Sequence, residues 1–225
     1  MGEMIDFASN GGTADGYLAT PSSGSGPGVV VIQEWWGLVP HIKEVCDRFA
    51  AAGFTALAPD LYHGEATREP DEAGKMMMGM RLDQAIKDMS GTVDALGERT
   101  GGKVAVVGFC MGGGLALILA ATRGDKVAAC SSFYGALPWE DAEPDWSGVS
   151  GSIALHVGDK DDWAMGFAND LAPKLEGLGK EHMSFHYAGT DHAFFNDHRP
   201  EVFDRAAAEL AWDRTIEQFR SALVD

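Results

Sequence analysis

Five segments of the chain are apolar without alternation: Gly28–Gln33, Phe54–Ala58, Val104–Val107, Val127–Phe133 and Ser152–Val157. A short run of this kind predicts a strand buried on both faces rather than one with a wet side. The stretches between them have helical character. One runs from about Val39 to Ala52. A second, Glu69–Leu96, reads as mostly helical, with Met76, Met77, Met80, Ile86, Met89 and Val93 on its apolar side. Leu115–Ala120 is apolar all round and predicts a buried helix. Helices are also predicted from about Trp163 to Leu178 and over Glu201–Ala222, with a strand at Met183–Tyr187 between them.

At the start, Ile5–Ala8 and Ala14–Thr20 flank Ser9-Asn10-Gly11-Gly12, a hairpin signal. Pro21–Pro27 is a surface loop too short to link domains, and Gly135–Ser150 is a loop rich in acids and tryptophan. Strands alternating with helices imply an α/β fold whose mostly parallel sheet is covered by helices on both faces. The length, 225 residues, suits a single domain over 1–225.

Charge changes the picture in one respect. A formal net charge of −17 argues against nucleic acid and anionic membrane as partners, and leaves an anionic substrate dependent on a local cation. No apolar run reaches a membrane span and the first residues lack a secretion signal, so the expected location is cytoplasmic. The three cysteines, Cys46, Cys110 and Cys130, are odd in number and widely spaced, which favours neither a disulfide framework nor a zinc cluster. No metal or organic cofactor is expected, and the oligomeric state is left open.

The chemistry gathers around Val104–Gly114, V-A-V-V-G-F-C-M-G-G-G. A buried strand, then Gly108-Phe109-Cys110-Met111-Gly112, then a buried helix is the pattern of a nucleophile elbow with cysteine in place of serine. The glycines allow a turn too tight for side chains, and Cys110 falls at a helix N-terminus, where the dipole favours a thiolate and a developing oxyanion. The competing reading is a buried cysteine beside a packing turn.

In an open α/β sheet, function collects at the carboxyl ends of the strands. Here those ends carry Glu34, Cys110, the acidic group Asp159, Asp161 and Asp162, and His192. Cysteine, aspartate, histidine is the chain order of α/β-hydrolases. His192 could move the thiol proton, and a carboxylate could fix its tautomer. Against this stand a solvated loop histidine and a solvated acidic turn. His156 lies within a strand and reads as a packing residue; His41, His63, His182, His186 and His198 also compete.

Gln33-Glu34-Trp35-Trp36-Gly37, Pro59-Asp60-Leu61-Tyr62, Gly108-Phe109-Cys110-Met111-Gly112-Gly113, His156-Val157-Gly158-Asp159-Lys160-Asp161 and Gly189-Thr190-Asp191-His192 together resemble the dienelactone hydrolase (carboxymethylenebutenolidase) family over nearly the whole chain. The resemblance implies an α/β-hydrolase fold and a hydrolase of lactones or activated esters working through a thioester. It implies Cys110, Asp161 and His192 as the triad, with Asp161 chosen by counting from His156. It implies an oxyanion hole from the backbone N–H groups of Trp35 and Met111. It implies Glu34 as the resting partner of the thiol, disfavouring the thiolate and so protecting it from oxidation.

Two family features are missing. The family arginine four residues after the catalytic histidine is Asn196 here. A second arginine has no clear match near Glu72-Ala73-Gly74-Lys75, although Arg68 lies close. Neutral substrates are therefore expected to be preferred over carboxylate-bearing lactones. Trp36, Arg68, Tyr134, Trp163, Phe194 and Asn196 are the candidate pocket residues. The other readings are a class I glutamine amidotransferase, whose H-x-E is absent after His192, and a hydrolase-like binding module without turnover.

Overall fold

Strands apolar on both faces need cover on both faces, and that requirement sets the architecture. A computed structural model of the chain describes residues 2–9, 11–139 and 142–224. Asn10 of the expected hairpin turn, and Glu140 and Asp141 of the acidic loop, lie outside the described residues. The strands β3 (Gly28–Ile32), β4 (Thr55–Pro59) and β5 (Val104–Phe109) are buried at every position. With β6 (Val127–Phe133) and β7 (Ser152–Gly158) they form the parallel centre of the sheet.

The hairpin strands β1 (Glu3–Ser9) and β2 (Gly12–Ala19) add antiparallel to β4, and β8 (His182–Tyr187) adds parallel to β7. The eight strands lie in the order β1-β2-β4-β3-β5-β6-β7-β8. The chain therefore leaves β3 to one side for β4 and returns on the other for β5. Loops departing in opposite directions open a crevice at the carboxyl ends of β3 and β5.

Two helices cover one face. Phe49 of α1 (Pro40–Ala51) packs on Trp212 and Phe219 of α6 (Arg205–Leu223), with ring centroids 4.5 and 6.0 Å apart. The other face carries the helix that follows β4's long connection, Leu82–Thr100, and the helix Met111–Thr122 that follows β5. They are joined at their ends by an Asp94–Arg123 ion pair of 2.7 Å. The second of these is buried from Met111 to Ala121, which is why it is apolar all round.

The stretch expected as one mostly helical run is two helices, α2 (Pro70–Gly79) and α3 (Leu82–Thr100). Met80 and Arg81 between them are extended, and α3 runs on to a left-handed Gly101 (φ +77). The helix after β5 is then α4 (Met111–Thr122), and α5 (Asp162–Gly177) packs on β7 and β8. The last helix starts at Arg205 rather than Glu201, because the Asp204 carboxylate caps it by accepting from the Ala207 N–H at 2.9 Å. No helix among the described residues is long and apolar enough to cross a membrane. A mostly parallel eight-stranded sheet with helices on both faces and a sharp turn after β5 is the α/β-hydrolase fold.

Candidate active site

Cys110 occupies the turn between β5 and α4 with φ +56 and ψ −121, a conformation costly for any residue but glycine. Packing holds it there. A Cβ on Gly108 would overlap the Gly112 carbonyl, and one on Gly112 would overlap the Gln33 carbonyl. The turn therefore sits tight against the end of β3, and only glycine permits that approach. Cys110 is partly accessible, whereas Cys46 and Cys130 are fully buried and burial pushes their thiols up.

The loop after β7 brings in Asp161. Its Oδ1 accepts from the Ala164 N–H at 3.1 Å and so caps α5, while its Oδ2 meets His192 Nδ1 at 2.5 Å. One carboxylate thus fixes a helix start and an imidazole. Its neighbours are occupied differently: Asp159 accepts from the Gly189 N–H at 2.7 Å, and Asp162 opens the first turn of α5. Burial by itself lowers the proton affinity of His192. The hydrogen bond that His192 donates to Asp161 and the adjacent Cys110 side chain outweigh it and raise the imidazole to about 10.

Met111 is the first residue of α4 and Trp35 follows Glu34 in the turn after β3. Among the described residues neither N–H has a hydrogen-bond acceptor. Glu34 is buried and gives its two oxygens to Tyr134 Oη (3.4 Å) and Asn196 Nδ2 (2.7 Å). It makes no hydrogen bond to Cys110 among the described residues. Burial, then the Glu34 charge, raise Tyr134 well above its ordinary value, so it stays a phenol and a donor.

The six candidate pocket residues separate. Trp36, Arg68 and Asn196 line one cavity of about 390 Å³, together with Thr67, His41, His198 and Arg199. Trp163 is half exposed at the start of α5, with its ring 6.4 Å from that of His192. Tyr134 is fully buried and reaches the site through its hydroxyl. Phe194 is fully buried and does not line that cavity. Ala193 has φ +64, which swings Phe194 inward to pack against Tyr187 at 4.8 Å and Tyr134 at 5.5 Å. Of the polar side chains lining this cavity, His41, Thr67, His198, Arg199 and Glu201 were not picked out from sequence as pocket residues. Arg199 lies seven residues beyond His192, outside the single offset at which a cation was sought, and His41 and His198 stood only among the histidines competing with His192. His156 packs as expected, stacked on Phe133 at 4.4 Å.

The dienelactone hydrolase family model matches residues 14–223. The chain is 40% identical to protein usf of Aquifex pyrophilus, over 99% of this chain and all of that one. It is 30% identical to carboxymethylenebutenolidase 1 of Cupriavidus pinatubonensis, over 92% of each chain. Among solved structures it is similar to P91, a dienelactone hydrolase-like promiscuous phosphotriesterase from metagenomic libraries. That match has a TM-score of 0.87 and 24% identity over 99% of this chain and 98% of that one.

Proposed function

The chain belongs to the dienelactone hydrolase family and is a hydrolase of ester or lactone bonds, and from that premise we propose that Cys110 is its nucleophile, His192 its acid–base and Asp161 the group that orients His192. The observation that carries this reading is the convergence of an elbow cysteine with an imidazole raised to about 10 and hydrogen-bonded to a helix-capping carboxylate.

The geometry would act as follows. His192 holds the proton of the Cys110 thiol, and the thiolate adds to the substrate carbonyl. The carbonyl π electrons move to oxygen, where the Trp35 and Met111 N–H groups and the α4 N-terminus receive the charge. Donors of this kind contribute roughly 2.7–4 kcal/mol each to the transition state. Collapse breaks the bond to the alkoxy oxygen, which takes the proton from His192 and leaves a thioester. His192 then removes a proton from water as it adds to the thioester, and sulfur departs as thiolate with the carboxylic acid released. Asp161 keeps Nδ1 protonated, so that Nε2 faces the reacting groups.

The cavity holding Trp36, Thr67, Arg68, Asn196 and Arg199 adjoins this centre through Asn196 and Trp36, and we assign it to the part of the substrate remote from the scissile bond. The test is the intact mass of the chain quenched during turnover of an activated ester. An acyl adduct on Cys110, released by hydroxylamine and missing from Cys110→Ala, is expected. Full hydrolysis by Cys110→Ala, or an adduct on another residue, sinks the assignment.

A further inference from the structure

Outside the proposed centre, the described residues hold one group of histidine and carboxylate side chains whose ligand atoms converge: His41, Asp197 and His198, all within 4.8 Å of one another. They come from two elements. His41 stands in the first turn of α1, and Asp197 and His198 lie on the turn that follows His192. Glu44, one turn further along α1 and on the same side as His41, meets His198 Nε2 at 2.9 Å. His41 Nδ1 meets Asp197 Oδ1 at 3.1 Å. The two imidazole rings are 5.5 Å apart.

We propose that His41, Asp197 and His198 form a binding site for a borderline divalent cation such as Zn²⁺ or Co²⁺, with Glu44 steadying His198. Two imidazole nitrogens and a carboxylate oxygen are the donor set such ions take, with a fourth position left to water. The distances fit after a small movement. Bonds of roughly 2.0–2.2 Å place tetrahedral donors about 3.4 Å apart, so the side chains draw in by about 1.5 Å at most. The movable partners can do this: Asp197 and His198 are 44% and 40% exposed, while His41 is buried and fixed.

His41 offers the ion Nδ1, the nitrogen that meets Asp197. Its other nitrogen, Nε2, is buried and has no hydrogen-bond partner among the described residues. Metal binding at Nδ1 moves the ring proton to Nε2, where it meets no acceptor among the described residues, and the metal bond has to outweigh that cost. His41 and His198 take no proton in the proposed hydrolysis, but both line the cavity assigned to the substrate, so a bound ion would sit in its wall. Positive charge opposes the ion: Arg48 interacts with Asp197, Arg199 follows His198 in sequence, and the α1 N-terminus is positive. Asp197, Glu44 and the nearby Glu34 offset them.

A bound ion would pin the 196–199 turn to α1. The same turn carries Asn196, whose Oδ1 accepts from the His198 N–H at 3.0 Å and whose Nδ2 donates to Glu34. Occupancy is thus linked to Glu34 through two hydrogen bonds.

The experiment is titration of the full-length protein with CoCl2, read by visible absorption, with thermal melts in parallel. The expected result is a saturable d–d spectrum without sulfur-to-cobalt charge transfer, unchanged in Cys110→Ala, and a melting temperature that rises with metal. Asp197→Asn and His198→Ala each weaken binding by more than about tenfold, and Glu44→Gln by about tenfold. His182→Ala and His186→Ala leave it unchanged. Absence of saturable binding overturns the proposal. So does a charge-transfer band that vanishes in Cys110→Ala, which puts the ion on the proposed nucleophile, or binding that survives both Asp197→Asn and His198→Ala. Because the readout is spectroscopic, it is independent of whether Cys110 turns over esters.

Discussion

The elbow at Cys110 and the corner around Glu34 face the same crevice but are held by different means. The elbow is held by backbone against backbone: Gly108 on Gly112, and Gly112 on the end of β3. The corner is held by side chains. Glu34 is bound by Asn196 and Tyr134, which lie 162 and 100 residues away, and His192 is bound by Asp161 from a different loop. Backbone contacts demand particular residue types in a fixed local order, so they leave a motif. Side-chain bonds demand only that two polar groups arrive together, and many pairs satisfy that.

The largest effect should come from the side-chain half. Asp161→Asn keeps a cap for α5 but cannot hold Nδ1 protonated, so kcat should fall by several orders of magnitude, ~10⁴ in the corresponding serine triad. Asp162→Asn should stay within a few-fold of the parent, since among the described residues the carboxylate bonded to His192 is that of Asp161. Steady-state kinetics on an activated ester separate them, and a large loss in Asp162→Asn would mean that the orienting carboxylate has been misassigned.

A second pair of variants compares the two means of support through stability. Gly112→Ala places a methyl group against the Gln33 carbonyl in a fully packed layer, and should cost at least about 3 kcal/mol. Asn196→Ala removes the shorter of the two hydrogen bonds to the buried Glu34, and should cost about 1–3 kcal/mol. Urea denaturation of both variants gives the order directly. If Asn196→Ala is the more damaging, the corner and not the elbow is the rigid part of the crevice.

The same distinction governs what could be read from sequence. Unbroken apolar runs mark β3 to β7, because a strand covered on both faces has no polar side to show. G-F-C-M-G marks the elbow, because its glycines are steric requirements. The break at Met80–Arg81 was hidden, since the apolar spacing continues through it while the backbone extends. Phe194 was expected at the pocket because counting from a strand end ignores direction; its ring is buried against Tyr187 and Tyr134. Asn196 was noticed as a missing arginine. Its bond to Glu34 was not legible, because it depends on where two distant loops meet.

Titration tests the His192–Asp161 bond without changing the elbow. The folded-state affinity of His192 for its proton is raised from 6.5 to about 10. The unfolded chain therefore loses that proton first as pH rises. The stabilisation is present in full below pH 6.5 and is lost progressively as pH rises toward 10. Asp161→Asn lacks the share that comes from Asp161, the remainder coming from Cys110, so the stability gap between parent and variant should narrow across that window. A remnant independent of pH would report the changed cap on α5. A gap constant from pH 6.5 to 10 would show that the bond does not favour the charged imidazole.

The smallest expected effect concerns charge in the cavity. Read from sequence, Asn196 in place of an arginine and a net charge of −17 favour neutral substrates. The structure shifts the question, because Asn196 is already committed to Glu34 while Arg68 and Arg199 line the cavity beside it. Arg199 also pairs with Glu201 at 2.9 Å and is about a third exposed, so part of its attraction for a substrate anion is spent or screened. A charge-assisted hydrogen bond contributes about 1.5–3 kcal/mol when fully expressed. The low end, about tenfold, is the reasonable figure for a group so placed. Arg199→Ala should then raise KM about tenfold for a carboxylate-bearing lactone and leave its methyl ester unchanged, with kcat steady for both. High salt should shrink the difference in the parent, since the cavity is open to solvent. Should Arg199→Ala and Arg68→Ala both leave the acid-to-ester ratio where it was, the cavity does not read charge, and the expectation drawn from Asn196 stands instead.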